Sequence, residues 1–149
     1  QVMSGPGHTL GHIAYYYPEA NAIFTADSLM ALGCGRLFEG TPEMMHESLS
    51  KLAALPPETM IYSGHEYTAS NAKFALTIEP DNADLISRSE AIAEDRRNNR
   101  PTVPASLSLE LATNPFLRAS EMSVRRQLGM IDATDTEVFA EIRARKDSF

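Results

Sequence analysis

Three short apolar runs, each handing the chain directly to a turn that carries a chemically capable residue, set the limits on what this sequence can fold into. Ile13-Ala-Tyr-Tyr-Tyr17 is aromatic and is closed by Pro18-Glu-Ala-Asn21, so it reads as a strand running into a loop. Ala22-Ile-Phe-Thr25 reads as a second strand and delivers Asp27. Met60-Ile-Tyr-Ser63 reads as a third and delivers Gly64-His65-Glu66-Tyr67-Thr68. Carboxylates and imidazoles at strand ends project from a rigid edge into loop-lined clefts, where sites commonly lie.

Helical patterns fill the intervals. Thr41 is placed to cap a helix opening at Pro42, whose stripe of Met44, Met45, Leu49, Leu52 and Leu55 runs until Pro56-Pro57. His46 falls off that stripe and is expected to face solvent. Thr68 or Ser70 can cap a second helix carrying Phe74, Ala75 and Ile78, and Asp81 or Asn82 a third that runs to about Arg97. Asn98 to Pro104 is a polar connector. Beyond it come Leu107 to Leu111, Asn114-Pro115-Phe116-Leu117-Arg118, and two short helices near 121–128 and 135–146. Strand-like segments with helices between them, then helices alone, spell an α/β arrangement followed by an all-helical end.

Gly5-Pro6-Gly7-His8 sets an imidazole on a tight turn, because glycine reaches backbone conformations closed to other residues and proline fixes one dihedral. On its own this histidine is more readily a structural loop residue than a ligand, and Asp27, or Ser28 beside it, is as readily a helix cap. Taken together, His8, Asp27 and His65 form a donor set of two imidazoles and a carboxylate, which suits zinc or non-haem iron. Gly33 to Thr41, with three glycines in nine residues, is expected to be a shaped loop.

Bulk properties exclude some classes of function. The net charge of −7 argues against general affinity for nucleic acid or anionic membrane, although only Arg36, Lys51, Lys73 and Arg88 of the 13 Lys and Arg residues precede Arg96. The basic residues of the C-terminal third are therefore available to meet an anion. With Cys34 alone, no internal disulfide is possible, which fits a reducing cytoplasm. No apolar run approaches the roughly twenty residues of a membrane span.

Five segments in register, Gly5-Pro-Gly-His8-Thr-Leu-Gly-His12, Phe24-Thr-Ala-Asp27-Ser, Gly33-Cys-Gly-Arg-Leu-Phe-Glu-Gly-Thr41, Gly64-His-Glu-Tyr-Thr68 and Asn114-Pro-Phe-Leu-Arg118, strongly resemble the second half of glyoxalase II, hydroxyacylglutathione hydrolase. That family lies in the metallo-β-lactamase superfamily. The resemblance implies the second half of an αββα sandwich over residues 1–68 and a helical, glutathione-binding region over 69–149. It further implies a dinuclear site of zinc, or else iron or manganese, with His8 on one metal, His65 on the other and Asp27 bridging. Hydroxide would attack the thioester carbonyl of S-lactoylglutathione, releasing D-lactate and glutathione in a cytoplasmic detoxification of methylglyoxal. Arg36, Tyr67 and Arg118 would line the glutathione groove, since a guanidinium donates two parallel hydrogen bonds to a carboxylate. Phe38 would stand there where tyrosine is usual. His12 is expected to be structural, and Cys34 a packed residue.

Departures from the family pattern carry consequences of their own. Gly5, Ala26 and Ser28 stand where the family usually has Thr, Gly and Thr, so the turns around His8 and Asp27 are expected to be reshaped. The Thr-His-x-His-x-Asp-His motif, which supplies four further ligands, is absent from this sequence. The three remaining donors, divided between two metals, imply weak metal binding and little hydrolysis by the chain alone. A missing half would also bare the apolar faces of the first two strands, favouring self-association or pairing with a separate N-terminal piece. Two further readings stand beside this one: a persulfide dioxygenase of the same superfamily, and a catalytically silent module with a groove for glutathione or for a protein.

Overall fold

The computed structural model describes residues 1–149 and is built on one five-stranded mixed sheet. Its strands are β1 (Val2–Ser4), β2 (Ile13–Tyr17), β3 (Ala22–Ala26), β6 (Met60–Ser63) and β7 (Ala105–Ser106), hydrogen-bonded in that order. Only the β3–β6 pair is parallel, its crossover passing through a helix as parallel neighbours require, and the other pairs run antiparallel. Between β3 and that helix sits a separate buried hairpin, β4 (Leu29–Met30) with β5 (Gly33–Cys34). The helices are α1 (Pro42–Ala53), α2 (Thr68–Ile78), α3 (Ala83–Arg97), α4 (Leu107–Thr113), α5 (Met122–Leu128) and α6 (Asp135–Asp147).

Strand alternation decides which side of the sheet is covered. Ala14, Tyr16, Ile23, Thr25 and Ile61 point to one face and are buried there. Met45, Leu49 and Leu52 of α1 pack on that face together with Phe116, Phe139 and Ile142, giving one core that reaches from the sheet into the helices beyond residue 68. A smaller group, Leu32, Ala72, Ala75, Leu85 and Ile92, seats the β4–β5 hairpin against α2 and α3. The opposite face of the sheet is bare. Val2, Tyr15, Phe24 and Tyr62 face one another across four strands in direct register, all exposed, with the Phe24 and Tyr62 rings stacked at 4.8 Å.

Local chemistry accounts for the helix ends. Thr41 accepts from the Met44 amide, Asn82 from Leu85, and Thr134 with Glu137 forms a reciprocal capping box. The expected cap at Thr68 or Ser70 does not form: α2 starts at Thr68 behind Tyr67 without a side-chain cap, and the Thr68 hydroxyl accepts a hydrogen bond from Thr102 instead. Nor does His46 face open solvent. α6 lies along α1, so the imidazole stacks on Phe139 at 5.3 Å and bonds the Thr136 hydroxyl at 2.9 Å. Gly33 and Cys34, expected within a loop, form β5. No helix is long and apolar enough to cross a membrane.

Candidate functional site

His8, Asp27 and His65 come from three turns far apart in sequence and meet at one end of the sheet. Gly7 has φ +153°, and its backbone passes so close to Met45 that a Cβ would fall 2.8 Å from the Met45 side chain. Two bonds tie this turn to the 35–41 segment, Gly40 N to Gly7 O at 3.1 Å and Leu10 N to Glu39 Oε2 at 2.8 Å. Asp27 follows directly on β3, after Ala26 at φ +48°, and His65 follows β6 after Gly64. Parallel pairing of β3 with β6 therefore brings the carboxylate and the second imidazole side by side.

The geometry assigns an atom to each role. The His8 Nδ1–H donates to the Arg36 carbonyl at 2.8 Å, and since a carbonyl only accepts, Nε2 is left with its lone pair. That lone pair faces Asp27 Oδ2 at 3.8 Å. The His65 Nδ1–H donates to the other carboxylate oxygen, Oδ1, at 2.6 Å, leaving its own Nε2 free. One oxygen of Asp27 thus turns to each imidazole. A backbone carbonyl orienting a ligating imidazole through its second nitrogen is the usual arrangement around metal-binding histidines.

Two glycines make this approach possible. A Cβ at Gly35 would lie 2.0 Å from the Asp27 carbonyl oxygen and 2.8 Å from His8 Nδ1, and one at Gly64 would lie 2.8 Å from Asp27 Oδ1. His12 donates through Nε2 to the Thr25 carbonyl at 3.0 Å, supporting the strand that carries Asp27.

A cavity of about 390 Å³ opens over these groups, lined by His8, Asp27, Met30, Gly35, Arg36, Phe38, His65 and Tyr67. Tyr67 stacks on His65 at 4.7 Å with the planes nearly parallel, and Phe38 lies 5.1 Å from the His8 ring. Six of the seven residues singled out in the sequence therefore share one cavity. Arg118 is the exception. Its Nε and Nη2 donate to the two oxygens of Glu79 at 2.6 and 3.0 Å, and Nη1 donates to the Leu111 carbonyl, so its fork is already filled. Burial alone would raise the Glu79 carboxyl, but hydrogen bonds from Arg118 and Ser123 outweigh it and hold the group below the ordinary carboxylate range.

Behind Arg36, which lines the cavity, stand three charged residues of α6, and Arg143 among them is buried and paired with Asp147. Arg143 donates to the Cys34 carbonyl at 2.7 Å, Asp147 sits 3.6 Å from Arg36, and Lys146 is pushed below the usual lysine range by burial and by Arg143 and Arg36. Arg143 and Lys146 stand three residues apart, a spacing that puts two charges on one helical face and could have flagged them. Cys34 is fully enclosed, and burial raises its thiol to about 11, which makes it a packing residue rather than a nucleophile.

The donor chemistry suits a divalent cation, yet no three or more His, Cys, Asp and Glu side chains enclose an ion by themselves.

This sheet edge, with donors at strand ends and helices on one face, has the form of the metallo-β-lactamase class, and residues 1–65 match the family model for the metallo-beta-lactamase superfamily. Residues 66–149 match the model for the hydroxyacylglutathione hydrolase C-terminus. The chain belongs to the hydroxyacylglutathione hydrolase family. Relatives so named are 68% identical over 148 residues in Roseobacter denitrificans and 58% identical over 149 residues in Brucella ovis. The chain spans 58% of the length of each, and these matches take in 99% and 100% of it. Among solved structures, TTHA1623 in a di-iron-bound form is 30% identical with a TM-score of 0.52, over 78% of this chain and 42% of that one. ETHE1 from Myxococcus xanthus, 23% identical with a TM-score of 0.59 over 99% and 45% of the two chains, is alike in fold.

Proposed function

We propose that the protein contributes the substrate-facing part of a metal-dependent thioester hydrolase acting on an S-(2-hydroxyacyl)glutathione, yielding the hydroxy acid and glutathione. One observation carries this reading: Asp27 directs one carboxylate oxygen to His65 and the other to His8, at the mouth of a cavity that also holds Arg36 and Tyr67. His8, Asp27 and His65 would hold two divalent cations between them, zinc or else iron or manganese, together with ligands from outside this chain. A bound divalent cation supplies the Lewis acidity that makes hydroxide available near neutral pH. The Arg36 carbonyl fixes the His8 tautomer, and the rings of Phe38 and Tyr67 lie against those of His8 and His65 and hold their orientation. Arg36, which lines the cavity and has Lys146 of α6 near it, supplies positive charge for a carboxylate of glutathione.

The division at about residue 68 into a sheet-bearing part and a helical glutathione-binding part belongs to this reading. So does the cover for the bare row Val2, Tyr15, Phe24 and Tyr62, which would be the length of the relatives that the chain does not match, or a second copy. The single buried thiol suits a reducing compartment such as the cytoplasm.

The test joins the chain to the unmatched segment of the Roseobacter denitrificans relative and assays S-lactoylglutathione with added zinc. Hydrolysis that is lost in Asp27→Asn and His65→Ala is expected. A folded, metal-loaded assembly that leaves the thioester intact would overturn the reading.

A further inference from the structure

The β4–β5 hairpin leaves Asp27 after one residue, at Leu29, and returns to the site at Gly35 and Arg36. Its turn is buried, and Leu32 within it has φ +57°, a conformation that a leucine holds only where its surroundings impose it. The turn's backbone groups are met by side chains from the helical part. Asn114 Nδ2 donates to the carbonyls of Met30 and Gly33 at 3.1 Å each, Asn71 Nδ2 donates to that of Ala31 at 3.1 Å, and the Leu32 amide donates to Glu110 Oε1 at 2.7 Å. Glu110 also accepts from Asn114 and is paired with the buried Arg88, which bonds Thr113. All of these side chains are buried, and none of them lines the site cavity.

From this arrangement we infer that Asn114 and Glu110, with Asn71, are positioning residues for Asp27: the helical part sets the metal-facing carboxylate through the hairpin. The coupling has a rigid path. Gly35 N donates to Ser28 O at 3.0 Å, and the Gly35 backbone lies so close to the Asp27 carbonyl and the His8 ring that the hairpin cannot shift without moving both. An ordinary structural hydrogen bond would add stability wherever it sat. These bonds converge on the one turn whose two ends both enter the site, and they hold it in a backbone state it would not otherwise keep. The inference rests on the hydrolase reading only in treating Asp27 as a working group.

The test is made on the ion-free protein at fixed pH, by ¹⁵N-edited NMR of the histidine rings. The readout is the downfield proton of His65 Nδ1–H, which reports its bond to Asp27 Oδ1. Asn114→Ala is expected to move this resonance upfield or broaden it away, and Asn71→Ala, which removes a single bond to the same turn, to move it the same way by less. Val124→Ala, a core truncation in α5, serves as the reference: it is expected to lower the melting temperature while leaving the His65 signal in place. A folded Asn114→Ala protein with an unmoved His65 signal would overturn the inference, as would an equal shift in Val124→Ala. If Asn114→Ala does not fold, an unmoved signal in Asn71→Ala overturns it. Because no substrate or metal enters the measurement, a failed hydrolysis assay leaves this result standing on its own.

Discussion

Gly35→Ala should damage this protein more than any other single added methyl group near the site. The new Cβ would sit 2.0 Å from the Asp27 carbonyl oxygen, far inside contact distance, with His8 Nδ1 at 2.8 Å and His8 Cγ at 3.0 Å. The first of these is backbone and cannot rotate away, so the β4–β5 return must move. Forcing extra carbon into well-packed structure typically costs about 1–3 kcal/mol, and a rigid first contact places this case near 3. For a chain of this size that corresponds to a fall of roughly 6–12 °C in melting temperature. Gly11→Ala is the internal control, since nothing lies within 4 Å of a Cβ there. Urea and thermal unfolding of both variants, followed by circular dichroism, provide the comparison. Equal stability of the two alanine variants would refute the claim that close backbone approach at Gly35 builds the site.

Ala26 occupies a left-handed conformation that glycine adopts freely, so Ala26→Gly should raise stability by about 0.5 kcal/mol in urea unfolding, the relief of strain exceeding the added freedom of the unfolded chain. The Glu79 carboxyl is depressed in the folded state, so its contribution is present above the ordinary carboxylate value and is lost as pH falls through the lower folded value. Glu79→Gln should accordingly flatten the acid limb of the stability profile, and an unchanged limb would remove the Arg118–Glu79 pair from the account. Cys34, with its thiol raised to about 11, should resist iodoacetamide at pH 8 until the protein is unfolded.

Much of this was readable from residue order, for reasons that can be stated. The strands at 13–17, 22–26 and 60–63 are short apolar runs closed by strong turn residues, and α1 and α3 carry both a stripe and a cap, so local chemistry suffices. His8, Asp27 and His65 were legible because each belongs to a turn that follows or joins these elements, whereas Arg36, Phe38 and Tyr67, which line the same cavity, were singled out only by the resemblance of their motifs. Elements of two or three residues, such as β1, β4, β5 and β7, carry no periodicity of their own and exist because a partner strand pairs with them. That Arg118 stands outside the cavity was hidden because its partner, Glu79, lies 39 positions away and nothing in either segment announces the pairing. The setting of His46 was hidden likewise: a stripe tells which face of α1 meets the sheet and says nothing of α6 arriving at its flank.

The account stands on the convergence of His8, Asp27 and His65, and paramagnetic titration tests that convergence most directly. Substoichiometric Mn²⁺ added to the ¹⁵N-labelled chain should broaden the ring signals of His8 and His65 together, well before those of His46, which lines a different cavity between α1 and the 116–120 segment. The selectivity should vanish in Asp27→Asn. Broadening of His46 at the same ion concentration as His8 and His65, or selectivity that survives Asp27→Asn, would contradict the shared cation site.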